Sequence, residues 1–126
     1  MVEARFARRV VMRVKSDRID EFLSRIRTEV YPGLRKEKGF RRVYLLRDAI
    51  NGNQFVSMTL WNSKADADAY ESTGHYSENT DMVKDLLEED PTASQLEVEY
   101  HTVGRALTPP PAVKKARTTK RRPRRK

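Results

Sequence analysis

Cysteine is absent from the 126 residues, and histidine nearly so, with only His75 and His101. The first absence removes disulfides, thiol nucleophiles and zinc sites of the cysteine type. The second leaves too few imidazoles for a histidine-rich metal centre. No apolar run approaches bilayer-spanning length, and the opening MVEARFARRV carries no uninterrupted apolar stretch of a secretory leader. A cytoplasmic protein without a bound metal is expected. Hydrophobic residues reach only 37% while charged residues reach 35%, so a core has to come from well-placed stripes rather than from general apolarity.

The length suits one domain and no second. The formal charge of +8 is unevenly spread. Nine cations lie beyond the Pro109–Pro111 run, at Lys114, Lys115, Arg117, Lys120, Arg121, Arg122, Arg124, Arg125 and Lys126, with no acid among them. Without these nine the chain holds 17 basic and 18 acidic residues. The expected division is a folded domain over residues 1–105 and a disordered tail over 106–126, stiffened at its start by proline. Such a tail would bind a polyanion, nucleic acid or an acidic surface, by counterion release and without sequence preference.

Within the domain the apolar periods alternate between those of strands and helices. Phe6, Val10, Met12 and Val14 fall on alternate positions with Arg9 and Arg13 interleaved, which is a strand. Ile19, Phe22, Leu23, Ile26 and Val30 follow at spacings of three and four, giving one face of a helix that the Tyr31-Pro32-Gly33 step should end. Phe40 to Arg47 and Phe55 to Trp61 read as a hairpin, joined through Asn51-Gly52-Asn53, whose residues tolerate positive φ. Ser63 with Asp66 resembles a capping box for a short helix through Ala65, Ala67 and Tyr70. Gly74 interrupts it, a further helix over about 77–89 should turn Met82, Leu86 and Val83 inward, and Leu96, Val98 and Tyr100 make the last strand.

The order βαββαβ predicts a ferredoxin-like α+β fold, a four-stranded antiparallel sheet with helices on one face. A sheet covered on one side should be polar on the other. This one is not: Val43 and Leu45 oppose Tyr44 and Leu46, and Val56, Met58 and Leu60 oppose Phe55 and Trp61. Two apolar faces predict a homodimer.

The run Phe55-Val-Ser-Met-Thr-Leu-Trp61, then Asn62-Ser63-Lys64-Ala65 and Tyr70-Glu-Ser-Thr-Gly-His75-Tyr76, resembles the antibiotic biosynthesis monooxygenase family of dimeric α+β barrels, as do Tyr31-Pro-Gly-Leu34 and Gly39-Phe40. The resemblance spans about residues 5–103. It implies an oxygenase that uses no metal or flavin and holds an electron-rich aromatic, quinone-like or polyphenolic, between sheet and helices, the substrate being its own reductant. Such chemistry asks for one base and one or two hydrogen-bond donors in an apolar cavity. On that resemblance His75 is the candidate general base, Tyr70 a hydrogen-bond partner for the substrate oxygen, and Trp61, Ser57 and Tyr76 the pocket walls.

Two departures stand beside it. Tyr70 and Ser57 occupy places where relatives carry a first histidine and an asparagine. The haem-degrading branch of the superfamily has a histidine where this chain has Thr80, and an asparagine on the first strand that Val10 to Val14 lack. An RNA-recognition reading of Lys38-Gly-Phe-Arg-Arg-Val-Tyr44 fails because Arg42 stands where a base-stacking aromatic is needed. The rival to catalysis is a non-catalytic dimeric binding module tethered to a polyanion by the basic tail.

Overall fold

The computed structural model describes residues 4–102 and 104. The nine tail cations lie outside the described residues.

Strand β1 (Phe6–Arg13) leads into helix α1 (Ile19–Arg25), a π-turn (Ile26–Val30) and the single turn α2 (Tyr31–Leu34). The hairpin β2 (Phe40–Arg47) and β3 (Gln54–Trp61) comes next. Then come α3 (Lys64–Ser72), α4 (His75–Asp81), a 3₁₀ turn (Lys84–Leu86) and β4 (Thr92–Glu97). All pairings are antiparallel in the order β2-β3-β1-β4. The expected ferredoxin-like α+β fold is therefore present. The register sets Val10 opposite Ser57 and Arg8 opposite Thr59. Phe6, Arg8, Val10 and Met12 thus share the helix-facing side with Phe55, Ser57, Thr59 and Trp61.

Several boundaries differ from the sequence reading, each for a physical reason. The first helix does not end at Tyr31-Pro32. It widens into the π-turn and then resumes, with Pro32 in the first turn of α2, where a missing N–H costs nothing. The α4 helix ends at Asp81. Val83 and Leu86 are buried as expected, but Met82 is exposed, and Leu87 takes a core position through its bridge to Val14. The last strand runs over Thr92–Glu97 rather than to Tyr100, because β1 offers pairing only from Phe6 to Val11. Beyond it Val98 N–H reaches the Arg5 carbonyl, at 3.1 Å. The hairpin loop does not use positive φ at Gly52. Asp48 Oδ1 instead accepts the N–H groups of Ile50 and Asn51 at 2.8 and 2.7 Å, holding the loop as an Asx turn.

Two hydrophobic clusters fill the space between sheet and helices. One gathers Met12, Val14, Phe22, Ile26, Val30, Phe55, Val83, Leu86 and Leu87. The other gathers Phe6, Leu34, Trp61, Ala67 and Tyr70. Tyr31 packs against both. On the opposite face of the sheet Tyr44, Leu46 and Leu96 are exposed and Val11, Val56, Met58 and Leu60 are half-buried, so the second apolar face read from the sequence is present.

Candidate active site

The seam between the clusters is not closed. A cavity of about 50 Å³, partly open to solvent, lies between the inner sheet face and the helices. Its walls come from both clusters. Val10, Met12, Ile26, Val30, Leu34 and Val83 are apolar; Tyr31, Ser57, Thr59, Tyr70, Tyr76, Asn79 and Thr80 carry polar tips. A greasy slot with a few placed hydroxyls and an amide is the usual composition of a small-molecule site.

Local sequence puts each polar tip there. Ser57 and Thr59 replace apolar residues on the inner face of β3, two positions apart, so both hydroxyls point the same way. The π-turn sets the direction of Tyr31: an extra residue in the turn rotates the helix beyond it, and Tyr31 Oη meets Ser57 Oγ at 2.9 Å. Ser63 starts α3, its Oγ accepting the Asp66 N–H at 3.1 Å as the capping box predicts, and the buried face of that helix presents Ala67 and Tyr70. Gly74, at φ 88°, turns the chain into α4. There Tyr76, Asn79 and Thr80 share a face by their spacing of three and four. Asn79 Nδ2 donates to Tyr70 Oη at 2.7 Å, which leaves the phenolic O–H of Tyr70 able to donate.

Burial pushes the ionisation of Tyr70 above the ordinary tyrosine value, against the opposing pull of the Asn79 hydrogen bond and the nearby Arg8 charge. Burial does the same to Tyr31, opposed by its bond to Ser57. Both phenols are thus neutral donors around pH 7, not bases. Among the described residues no histidine, aspartate or glutamate lines the cavity.

Of the residues expected at the site, Ser57, Tyr70 and Tyr76 line the cavity together. Trp61 does not. It is fully buried behind Tyr70, with ring centroids 5.2 Å apart, and its Nε1 donates to Thr59 Oγ1 at 2.9 Å. His75 also stands outside. It is exposed at the start of α4, and its Nδ1 lies 2.9 Å from a Glu37 carboxylate oxygen, whose hydrogen bond and charge raise the imidazole above its ordinary value.

Tyr31, Thr59, Asn79 and Thr80 were missed as lining groups. Asn79 stands three residues beyond Tyr76, a spacing that would have put the two side by side had α4 been bounded correctly. Tyr31 depends on the π-turn, for which Pro32 was the only cue.

The fold and cavity define a small α+β protein with a half-open, aromatic-lined site. The family model for antibiotic biosynthesis monooxygenase matches residues 5–79, and the chain belongs to that family. Among solved structures, a Nitrosomonas europaea protein assigned to antibiotic biosynthesis monooxygenases is 25% identical, covering 82% of this chain and 99% of its own, with a TM-score of 0.66. A monooxygenase from the gene ActVA-Orf6 of Streptomyces coelicolor, solved with the ligand Nanaomycin D, is 15% identical over 81% of this chain and 94% of its own, with a TM-score of 0.69. A Bordetella bronchiseptica protein with the same assignment is 16% identical over 80% and 100%, with a TM-score of 0.64. No curated protein matches the chain significantly.

Proposed function

We propose that this chain is a cofactor-independent monooxygenase acting on a phenolic, quinone-like or polyphenolic small molecule held in the cavity between sheet and helices. The observation that carries this is the apolar slot with hydroxyl and amide tips from Ser57, Tyr70, Asn79 and Thr80, in a chain of the monooxygenase family. The balanced reaction converts a phenol and O₂ into a quinone and water. The ring gives four electrons, one oxygen atom becomes the new carbonyl, and the other leaves as water with the two hydrogens the ring loses.

Electron transfer to oxygen is easier from the phenolate than from the phenol, so the substrate has to shed its hydroxyl proton. With no carboxylate or imidazole in the wall among the described residues, that proton leaves through the solvent-open side. Tyr70 and Tyr31, as neutral donors, then hydrogen-bond the oxygen that carries negative charge. His75, expected from the family resemblance as the base, acts in this reading only through the start of α4 and the placement of Tyr76 beside it.

The apolar outer sheet face supports a homodimer, with a second copy covering Tyr44, Leu46 and Leu96. The proposed role of the basic tail, a tether to polyanions, rests on its charge.

The test is oxygen uptake by metal-free protein with a panel of phenols and hydroquinones, with ¹⁸O₂ as label. One labelled oxygen in the quinone, at a rate reduced by Tyr70→Phe, is expected. Absence of turnover across the panel refutes the oxygenase and favours the binding module. Retention on heparin would then be compared between the full chain and the chain ending at Arg105; equal retention would dismiss the tether.

A further inference from the structure

Among the described residues the inner sheet face holds one buried charged residue, which a hydrophobic layer does not need. Arg8 sits between Phe6 and Val10 on β1, 2% exposed, opposite Thr59 on β3 and Gln95 on β4. Its guanidinium carbon lies 4.3 Å from the ring centroid of Tyr76 and 5.7 Å from that of Tyr70. Both rings are cavity walls, as are Thr59 and Val10. The guanidinium is therefore stacked against the back of the cavity wall.

Its charge is poorly balanced. The anionic contact is Glu71 Oε1 at 3.3 Å, on a side chain 53% exposed and so partly screened by water. Among the described residues Arg8 Nε is buried with no hydrogen-bond partner. Burying a cation costs several kcal/mol and is ordinarily offset by a close, well-bonded anion. Here the offset is incomplete, and the remaining field falls on the cavity.

We propose that Arg8 makes the cavity selective for anionic aromatics, so that a phenolic ligand is held as its phenolate. This rests on the reading of the cavity as an aromatic-ligand site, and it gives that site the ionisation that the missing base does not. The cation acts through space and through the Tyr76 and Tyr70 rings it stacks upon, and touches no ligand atom itself. It is a specificity-determining residue, not a catalytic one. The groups facing it from the packed elements are Glu71 and Tyr70 on α3, Tyr76 on α4, and the neutral Thr59 and Gln95 on β3 and β4. Asp68 on α3 feels its charge, Glu97 is two residues further along β4, and the Glu37–His75 pair lies at the outer end of α4. Among the described residues Glu71 is the one of these that contacts Arg8 as an anion.

The experiment uses the full chain under anaerobic conditions with 4-nitrophenol, whose phenolate absorbs in the visible, and 4-nitroanisole as the uncharged isostere. Because ionisation and binding are read without turnover, failure of the oxygenase assay and failure here are separate results. Burial raises the ionisation of a bound phenol, as it does that of Tyr70, and Arg8 lowers it; the bound phenol should therefore ionise about one pH unit lower in the wild type than in Arg8→Met, as expected for an anion near an incompletely compensated cation. The preference for phenolate over neutral phenol should accordingly be about tenfold greater in the wild type than in Arg8→Met, the same shift expressed as affinity, while the anisole should bind the two proteins alike.

Arg8→Met removes a buried side chain whose loss can prevent folding, so Glu71→Gln, at a half-exposed position, is the second variant. Freeing Arg8 from its carboxylate should lower the bound ionisation further and increase the preference for phenolate. A bound ionisation as high in the wild type as in Arg8→Met, no binding of the phenolate, or a preference that Glu71→Gln leaves unchanged would each overturn the proposal.

Discussion

Alanine placed at three glycines separates backbone conformation from packing in this fold. Gly39 has φ 80°, and a Cβ there would run into the side chain of Asp66, through its Oδ2, Cγ and Cβ atoms. Gly74 has φ 88° but nothing within 4 Å of its would-be Cβ. Gly33, in α2, has neither constraint. Forcing an L-residue into the left-handed region costs about 1–2 kcal/mol, so Gly74→Ala should lose about that much stability. At Gly39 the same term is joined by a steric overlap that side-chain rotation cannot relieve, since Asp66 Cβ is itself in the way. Overpacking typically adds about 1–3 kcal/mol, for a total of about 2–5 kcal/mol. Gly33→Ala should stabilise by about 0.5–1 kcal/mol, because alanine loses less backbone freedom on entering a helix. Urea denaturation followed by the fluorescence of Trp61, the one tryptophan, measures all three at a fixed protein concentration. Equal losses at Gly39 and Gly74 would refute the contact with Asp66 and with it the seating of the β2 entry against α3, the helix that carries Tyr70. A loss at Gly33 would refute the helical turn after the π-turn.

Tyr31→Phe and Ser57→Ala should each cost about 1 kcal/mol, the net worth of a hydrogen bond with one partner left behind, and the double variant should cost less than the sum; strict additivity would mean that the two hydroxyls do not meet. An NMR pH titration should find His75 above the ordinary histidine value and Glu37→Gln should bring it down, since the carboxylate is what raises it. Because the folded value is raised, the stabilisation from this pair is complete below the unfolded histidine value near 6.5 and fades as pH rises through the folded one; stability that grew from this pair with rising pH would contradict the contact.

The fold was legible because its stripes are clean where the core is deepest. Phe22, Ile26 and Val30 on one helical face, and Phe55 and Trp61 on alternate strand positions, are buried as their periods demand. Ser63 was legible because its capping is local chemistry. The features that failed to show depend on three-dimensional partners. The stripe Phe6, Val10, Met12, Val14 skips position 8, and the residue filling that gap is Arg8, buried among rings supplied by the distant Tyr70 and Tyr76. A polar residue in phase with a core stripe was the signal, and the interleaved Arg9 and Arg13 obscured it. Strand β4 was misplaced because its alternation continues past Glu97, whereas pairing stops where β1 stops. Trp61 and His75, assigned to the site by resemblance, keep their neighbourhood but not the wall: the indole is consumed by its bond to Thr59 and its packing on Tyr70, and the imidazole by Glu37.

The size of the cavity constrains how a ligand enters. About 50 Å³ holds a few water molecules, not an aromatic ring system, for which sites run to about 300 Å³ or more. One wall therefore has to move, and burial identifies it. The sheet, α1 and the π-turn are fixed by Met12, Phe22, Phe55 and Ile26, and α3 by Ala67 and Tyr70, all buried. The α4 helix has no buried residue, no side-chain cap at its start and a glycine at its junction with α3, yet it brings Tyr76, Asn79 and Thr80 to the cavity. Elements with few buried apolar contacts open at the lowest free energy. Amide hydrogen exchange should accordingly be faster over residues 75–81 than over 64–72, and 4-nitrophenol at saturating concentration should slow the first segment and leave the second little changed. The Tyr70–Asn79 bond crosses from the fixed wall to the moving one, so Asn79→Ala should speed exchange in α4 without touching β1 or β3. Exchange in α4 as slow as in α3, or protection by ligand spread evenly over both helices, would mean that the cavity enlarges by some other movement and that the seam between the two clusters, not α4, is the yielding element.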